Sequence, residues 1–148
     1  MSVFDLLKKD HKKVSSIFKE IESTDNRKEK QELFKKLDHE LTIHADFEEK
    51  NLYPLLKEAD ITHDLSFESV EEHKIIKTLL HELSNFKLDQ DEWDAKITVL
   101  QENVEHHVDE EEHDLFPKAK KALDKETINQ LTEKKEAIEG KVKVASKK

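Results

Sequence analysis

The chain has 148 residues, enough for one domain with a real core, and 41% are charged, against a single Gly and two Pro. So few turn formers exclude a fold of many strands and hairpins and leave long helices. A net charge of −9 argues against a nucleic-acid partner, and the absence of cysteine excludes disulfides, zinc–thiolate sites, iron–sulfur clusters and thiol catalysis.

A stripe of residues at alternating steps of three and four predicts the first helix through Phe4, Leu7, His11, Val14, Phe18 and Ile21. The second stripe takes in Phe34, Leu37, Leu41, His44, Glu48, Leu52 and Leu55. The third runs Val70, His73, Ile76, Leu80 and Leu83, and the fourth Trp93, Ile97, Leu100, Val104, His107, Glu111 and Leu115. Polar links at Ser23–Asn26, Asp60–His63 and Leu88–Asp91 separate them. The expected N-caps are Ser2, Asp25 or Asn26, Ser66 or Asp64, and Asp91. Pro54 and Pro117 fall late in the second and fourth helices, where a missing N–H kinks or ends a helix.

Short links force neighbours antiparallel, so the expected fold is all-α, an up-down-up-down four-helix bundle over residues 1–124. Residues 125–148 then form a short C-terminal amphipathic helix, Thr127 to about Glu139 with Ile128, Leu131 and Ile138 inward, and a solvated basic tail of Lys141, Lys143, Lys147 and Lys148. No apolar run reaches the roughly 18–20 residues of a membrane span. Met1 to Asp5 lacks a secretory pattern, so a soluble cytoplasmic protein without a membrane partner is expected.

One segment is written twice. HADFEEKNLYP holds His44-x3-Glu48, and HVDEEEHDLFP holds His107-x3-Glu111, 63 positions on (107 − 44). A histidine and a glutamate four apart share one helix face, so both can reach one metal ion. Asp10-His11 likewise matches Glu72-His73, 62 apart (73 − 11), which makes the chain a duplicated helix pair. His11, His44, Glu48, His73, His107 and Glu111 all fall in apolar seams. Burying an ionised carboxylate there costs several kcal/mol unless it is paired or binds a metal.

Taken singly, a seam histidine is more often a core imidazole bonded to a carbonyl; four of them with a repeated His-x3-Glu point to a cation. His39, His81, His106 and His113 fall beside the stripes and His63 in a predicted link, and these are read as surface residues. His106-x3-Glu110 has the same spacing as the second motif, but the repeat and the stripe through Leu100 and Val104 favour His107-x3-Glu111. Tyr53 and Phe116 are equivalent across the repeat, so an aromatic packing role is expected at both. Trp93 is expected to plug the bundle end.

Four imidazoles and two carboxylates are wrong for calcium or magnesium, which take oxygen shells, and leave zinc, manganese and iron. Six ligands over four helices suit two ions about 3.5–4 Å apart, bridged by carboxylates. The expected assignment puts His11 and His44 on one ion and His73 and His107 on the other, with Glu48 and Glu111 bridging. Vacant positions would hold an oxo or hydroxo bridge and water, or a small exogenous molecule. A ferritin-like carboxylate bundle fits less well, because such sites use Glu-x-x-His and more glutamates.

The order His11, His44-x3-Glu48, His73, His107-x3-Glu111, with the Leu-Tyr-Pro and Leu-Phe-Pro endings, resembles the hemerythrin-like HHE cation-binding domain over about residues 3–120. The resemblance implies a non-haem di-iron site in a four-helix bundle that binds or reacts with oxygen, peroxide or nitric oxide. The alternatives are a di-iron oxidoreductase of peroxidase or nitric-oxide type, or a metal-stabilised helical interaction protein. Oxygen-carrying members have a second histidine one turn after the one on helix three, where Lys77 stands here. They also place an aspartate five residues after the helix-four histidine, where this chain has Glu111 at four and Glu112 at five.

Overall fold

A computed structural model describes residues 1–147, with side chains described through Gly140. Helix α1 spans Val3–Ser23 and α2 Arg27–Phe47; α2 runs on through a π-helical turn, Glu48–Leu52, into α3, Tyr53–Leu56. Helix α4 spans His63–Leu83 and α5 Gln90–Glu110, again continued by a π turn, Glu111–Leu115, into α6, Phe116–Ala122. Helix α7 spans Lys125–Lys147. No strand occurs among the described residues. The all-α four-helix bundle with an added C-terminal helix is the observed architecture, α1 packing on α2 and α4 on α5.

The helix starts follow local chemistry. The Ser2 backbone N–H donates to the Asp5 carboxylate at 3.0 Å, and the Asn26 side chain accepts from the Glu29 N–H at 2.9 Å. Two expected caps are displaced. Helix α4 begins at His63 after Thr62, whose hydroxyl donates to the Leu56 carbonyl at 2.6 Å and closes the link, so Asp64, Ser66 and His63 all lie within the helix. Helix α5 is capped by Asp89 rather than Asp91, because Asp89 accepts from the Asp91 N–H at 2.7 Å.

The prolines do something subtler than kinking. Each lies two residues past a π turn, in which the Glu48 carbonyl accepts from Tyr53 N–H and the Glu111 carbonyl from Phe116 N–H. In an α-helix a residue five positions on sits about 140° around the axis. The wider turn brings it back over the first residue, so Tyr53 comes to face the same side as Glu48.

Two apolar clusters fill the bundle. One gathers Val14, Phe18, Ile21, Phe34, Leu37, Leu80, Leu83, Trp93, Leu100 and Val104. Trp93 closes it, donating its indole N–H to the Leu83 carbonyl at 2.9 Å. The other gathers Phe4, Leu7, Phe47, Leu52, Leu56, Leu115, Phe116 and Leu131. Between them lies a polar layer. Helix α7 is longer than expected and seals the second cluster with Leu131, Ile128 and Ile138; the basic tail from Lys141 lies outside the described side chains. None of the described helices is long and apolar enough to cross a membrane.

Candidate metal centre

The polar layer contains the six residues of the doubled motif. His11, His44, Glu48, His73, His107 and Glu111 are all buried, with Glu48 at 0% and Glu111 at 1% exposure. Each imidazole sits one turn from apolar neighbours on its own helix, so the stripe that makes the helix amphipathic also delivers its histidine to the centre.

All four Nε2 atoms point inward. Glu48 Oε1 lies 3.2 Å from Nε2 of both His44 and His73. Glu111 Oε1 lies 3.2 Å from His11 Nε2, and its Oε2 lies 3.4 Å from His107 Nε2. Each carboxylate therefore spans one histidine from each half of the duplicated chain. The His11 and His44 rings lie 4.9 Å apart, and the His73 and His107 Nε2 atoms 3.1 Å apart. Two groups of potential ligand atoms result: Glu48, His73, His107 and Glu111, and His11, His44 and Glu111.

All four Nδ1 atoms point outward, each to a carboxylate. His44 reaches Asp10 at 2.9 Å and His107 reaches Glu72 at 2.7 Å. His11 reaches Glu112 at 2.7 Å and His73 reaches Glu49 at 3.3 Å. Asp10 and Glu72 occupy matching places in the repeat, as do Glu49 and Glu112, so the outer ring is duplicated with the inner one. A carboxylate accepting from Nδ1–H fixes the tautomer that turns the Nε2 lone pair toward a cation.

Sequence reading missed this outer ring, although its signal was present as an acid before His11 and His73 and another after Glu48 and Glu111. It also missed the Tyr53 hydroxyl. That group donates to Glu111 Oε2 at 2.5 Å and Glu48 Oε1 at 3.1 Å, and lies 3.2 Å from His73 Nε2. Burial, then the charges of Glu111 and Glu48, hold its pKa well above the usual phenol value, so it is a neutral donor. Its counterpart Phe116 behaves as the repeat predicts, stacking on the His11 ring at 6.1 Å.

Protons and carboxylates are tightly matched here. Burial opposes charging of His107, but Glu111 and Glu72 push its pKa up to about 10. His44 is raised for the same reason, burial being outweighed by Glu48, Asp10 and Glu111. Glu111 is held well below the usual carboxylate range: burial works against its charge, but His107, His11 and His44 favour it. Even so, four buried atoms make no well-aligned hydrogen bond, although His11 Nε2 lies 3.2 Å from Glu111 Oε1 and His44 Nε2 3.2 Å from Glu48 Oε1: these are His11 Nε2, His44 Nε2, Glu48 Oε2 and Glu111 Oε1. Such orphans are costly in a core. A divalent cation fits them, since imidazole Nε2 and carboxylate oxygen are its natural donors.

The remaining histidines, His39, His63, His81, His106 and His113, are exposed. His106 pairs with Glu110 at 3.0 Å on the surface, near Glu72, so the second register is the buried one.

Comparison with known proteins agrees with this geometry. Over 142 residues the chain is 28% identical to a protein named DNA nickase from Nostoc sp., covering 96% of this chain and 40% of that one. It is 25% identical over 126 residues to an uncharacterized hemerythrin-like protein of Schizosaccharomyces pombe, covering 84% of this chain and 62% of the relative. The chain thus spans less than two thirds of the length of either relative. No solved structure matches. The family description "Hemerythrin HHE cation binding domain" matches residues 2–119, which include every histidine and glutamate of the buried layer, and the chain belongs to that family.

Proposed function

We propose that the protein holds two non-haem iron ions and binds or reacts with a small molecule such as oxygen, peroxide or nitric oxide. In this reading His11 and His44 serve one ion and His73 and His107 the other, with Glu48 and Glu111 shared. Six buried side chains in two sets that share Glu111, with four of their polar atoms lacking a well-aligned hydrogen bond, carry the proposal. Bound iron would supply redox chemistry and open coordination positions that no side chain here can offer.

The chain's own residues set the conditions. Asp10, Glu49, Glu72 and Glu112 orient the imidazoles. Tyr53 can donate a hydrogen bond at its Oη, on the side of the centre facing His73. Beside the four imidazoles lies a cavity of about 30 Å³ walled by Val14, Leu41, Ile76, Leu80, Val104 and Val108. That is room for one or two small molecules, which favours a diatomic or peroxide over an organic substrate. The exposed wall of this cavity is mostly apolar.

Metal analysis and an absorption spectrum of protein expressed with iron test the reading. Two irons per chain, with near-ultraviolet bands that respond to peroxide, oxygen or nitric oxide, are expected. A stable, iron-free protein after iron-replete expression refutes it. Steady turnover of peroxide or nitric oxide by the loaded protein would identify an oxidoreductase instead of a binder. The name of the Nostoc relative makes plasmid nicking, with and without iron, a further assay to run.

A further inference from the structure

Helix α7 begins beyond the stretch that matches the family, yet it sends a lysine into the neighbourhood of the metal centre. Lys135 is 2% exposed and is the only buried lysine among the described residues. Burying an ammonium group is costly unless it is paired. Its Nζ donates to Asp10 Oδ2 at 2.7 Å and lies 5.4 Å from the centre of the Phe47 ring, with Glu139 farther away at 3.9 Å. The same Asp10 oxygen accepts from His44 Nδ1 at 2.9 Å. Lys135, Asp10 and His44 thus form one file from the C-terminal helix to the centre.

The duplicated half shows that this file is an addition. Glu72 stands where Asp10 does and accepts from His107 Nδ1, but the other imidazole beside it is the exposed His106 at 3.7 Å. No lysine reaches Glu72 within salt-bridge distance among the described residues. Helix α7 also walls a cleft of about 430 Å³ through Lys135, Ile138 and Glu139, and Asp10 and His44 line the same cleft. Undocking α7 would expose this flank of His44 to water.

We propose that Lys135 is a positioning residue for the cation centre, and that docking of α7 and cation binding favour each other through Lys135, Asp10 and His44. The lysine pins the Asp10 carboxylate where it receives Nδ1–H, which aims the His44 Nε2 lone pair inward. Coupling of this kind is reciprocal, so a cation on His44 tightens α7 by the factor that α7 tightens the cation. The inference rests on the reading that His44 holds a cation.

The test is a cobalt(II) titration of the full chain, followed by its absorption bands, in wild type, Lys135→Met and Lys135→Arg. Amide hydrogen exchange of α7 is measured with and without cobalt in wild type and Lys135→Met. Removing a group that orients a ligand typically weakens binding about 10–100-fold. Lys135→Met is expected to lose about that much at one of two sites, with changed cobalt bands, and Lys135→Arg to recover most of it. Cobalt is expected to slow α7 exchange in wild type and not in Lys135→Met. Identical isotherms for wild type and Lys135→Met overturn the inference alone, as does wild-type α7 exchange indifferent to cobalt. So does an arginine variant as weak as the methionine one, which would mark a purely structural lysine. A wild-type chain that takes up no cobalt overturns the inference and the metal-centre reading together.

Discussion

Glu111→Gln keeps the shape of a side chain common to both groups of potential ligand atoms and removes its charge. Its oxygens lie 3.2 Å from His11, 3.4 Å from His107 and 4.0 Å from His44, so no other single substitution touches as many imidazoles. A ligand present at 100 times its Kd stabilises the folded state by about 2.7 kcal/mol per site. For a chain of 148 residues each kcal/mol shifts the melting temperature by about 2–4 °C, so each occupied site should raise it by roughly 5–11 °C. The assay is thermal denaturation by circular dichroism, with chelator and with iron at a fixed excess, alongside metal analysis. The variant should take up little iron and lose most of the shift. His44→Ala should also lose iron, while His81→Ala and His63→Ala, at exposed positions, should retain wild-type loading. A Glu111→Gln protein with the full iron-induced shift would refute the assignment of Glu111 to the centre.

Tyr53→Phe removes a donor from two buried carboxylates and should destabilise the metal-free protein by about 1–3 kcal/mol in urea denaturation. Its iron content should stay at two per chain; a fall would make the tyrosine a ligand rather than a donor. The chelated protein should also show a characteristic pH dependence. His44 and His107 are raised above 6.5, so the stability they contribute is complete below that pH and is lost as pH rises above it, for His107 through about 10. Glu111 is lowered below 4.5, so its contribution is present above that pH and is lost in stronger acid. Urea midpoints in chelator should therefore fall between pH 6.5 and 9, while stabilisation by iron grows over the same range as protons leave the imidazoles. A chelated midpoint that rises with pH would contradict the raised histidines.

Much of this was legible because two periodicities coincide. The stripe that places Leu7, Val14 and Phe18 in the core also places His11 there, and the same logic holds for His44, His73 and His107. Spacing could not show the π turns, because Glu48 and Tyr53 are five apart and an α-helix would point them in different directions. Only the wider turn before Pro54 brings the phenol over the carboxylate. The outer carboxylates escaped notice for a related reason. Asp10 and Glu72 precede His11 and His73 by one position, about 100° around the helix, which reads as solvated flank until the neighbouring helix brings His44 or His107 beside it. The caps Thr62 and Asp89 depend on how a link closes, a tertiary matter that local preference does not decide.

The duplication makes the centre nearly symmetric, and three side chains break that symmetry. Tyr53 faces Glu48, His73 and Glu111, while its counterpart Phe116 stacks on His11 and offers no hydroxyl. Lys77 donates to Glu49 at 2.6 Å and so braces the carboxylate behind His73; the matching position, 62 residues earlier, is Ser15. Lys135 braces Asp10 behind His44. Two cations held by equivalent imidazoles would therefore differ in the charge and hydrogen bonding around them, and would differ in affinity and redox behaviour. An incoming small molecule would meet one side furnished with a hydrogen-bond donor and the other furnished with an aromatic ring. That inequivalence comes from side chains, because the backbone repeat alone would give two matching halves.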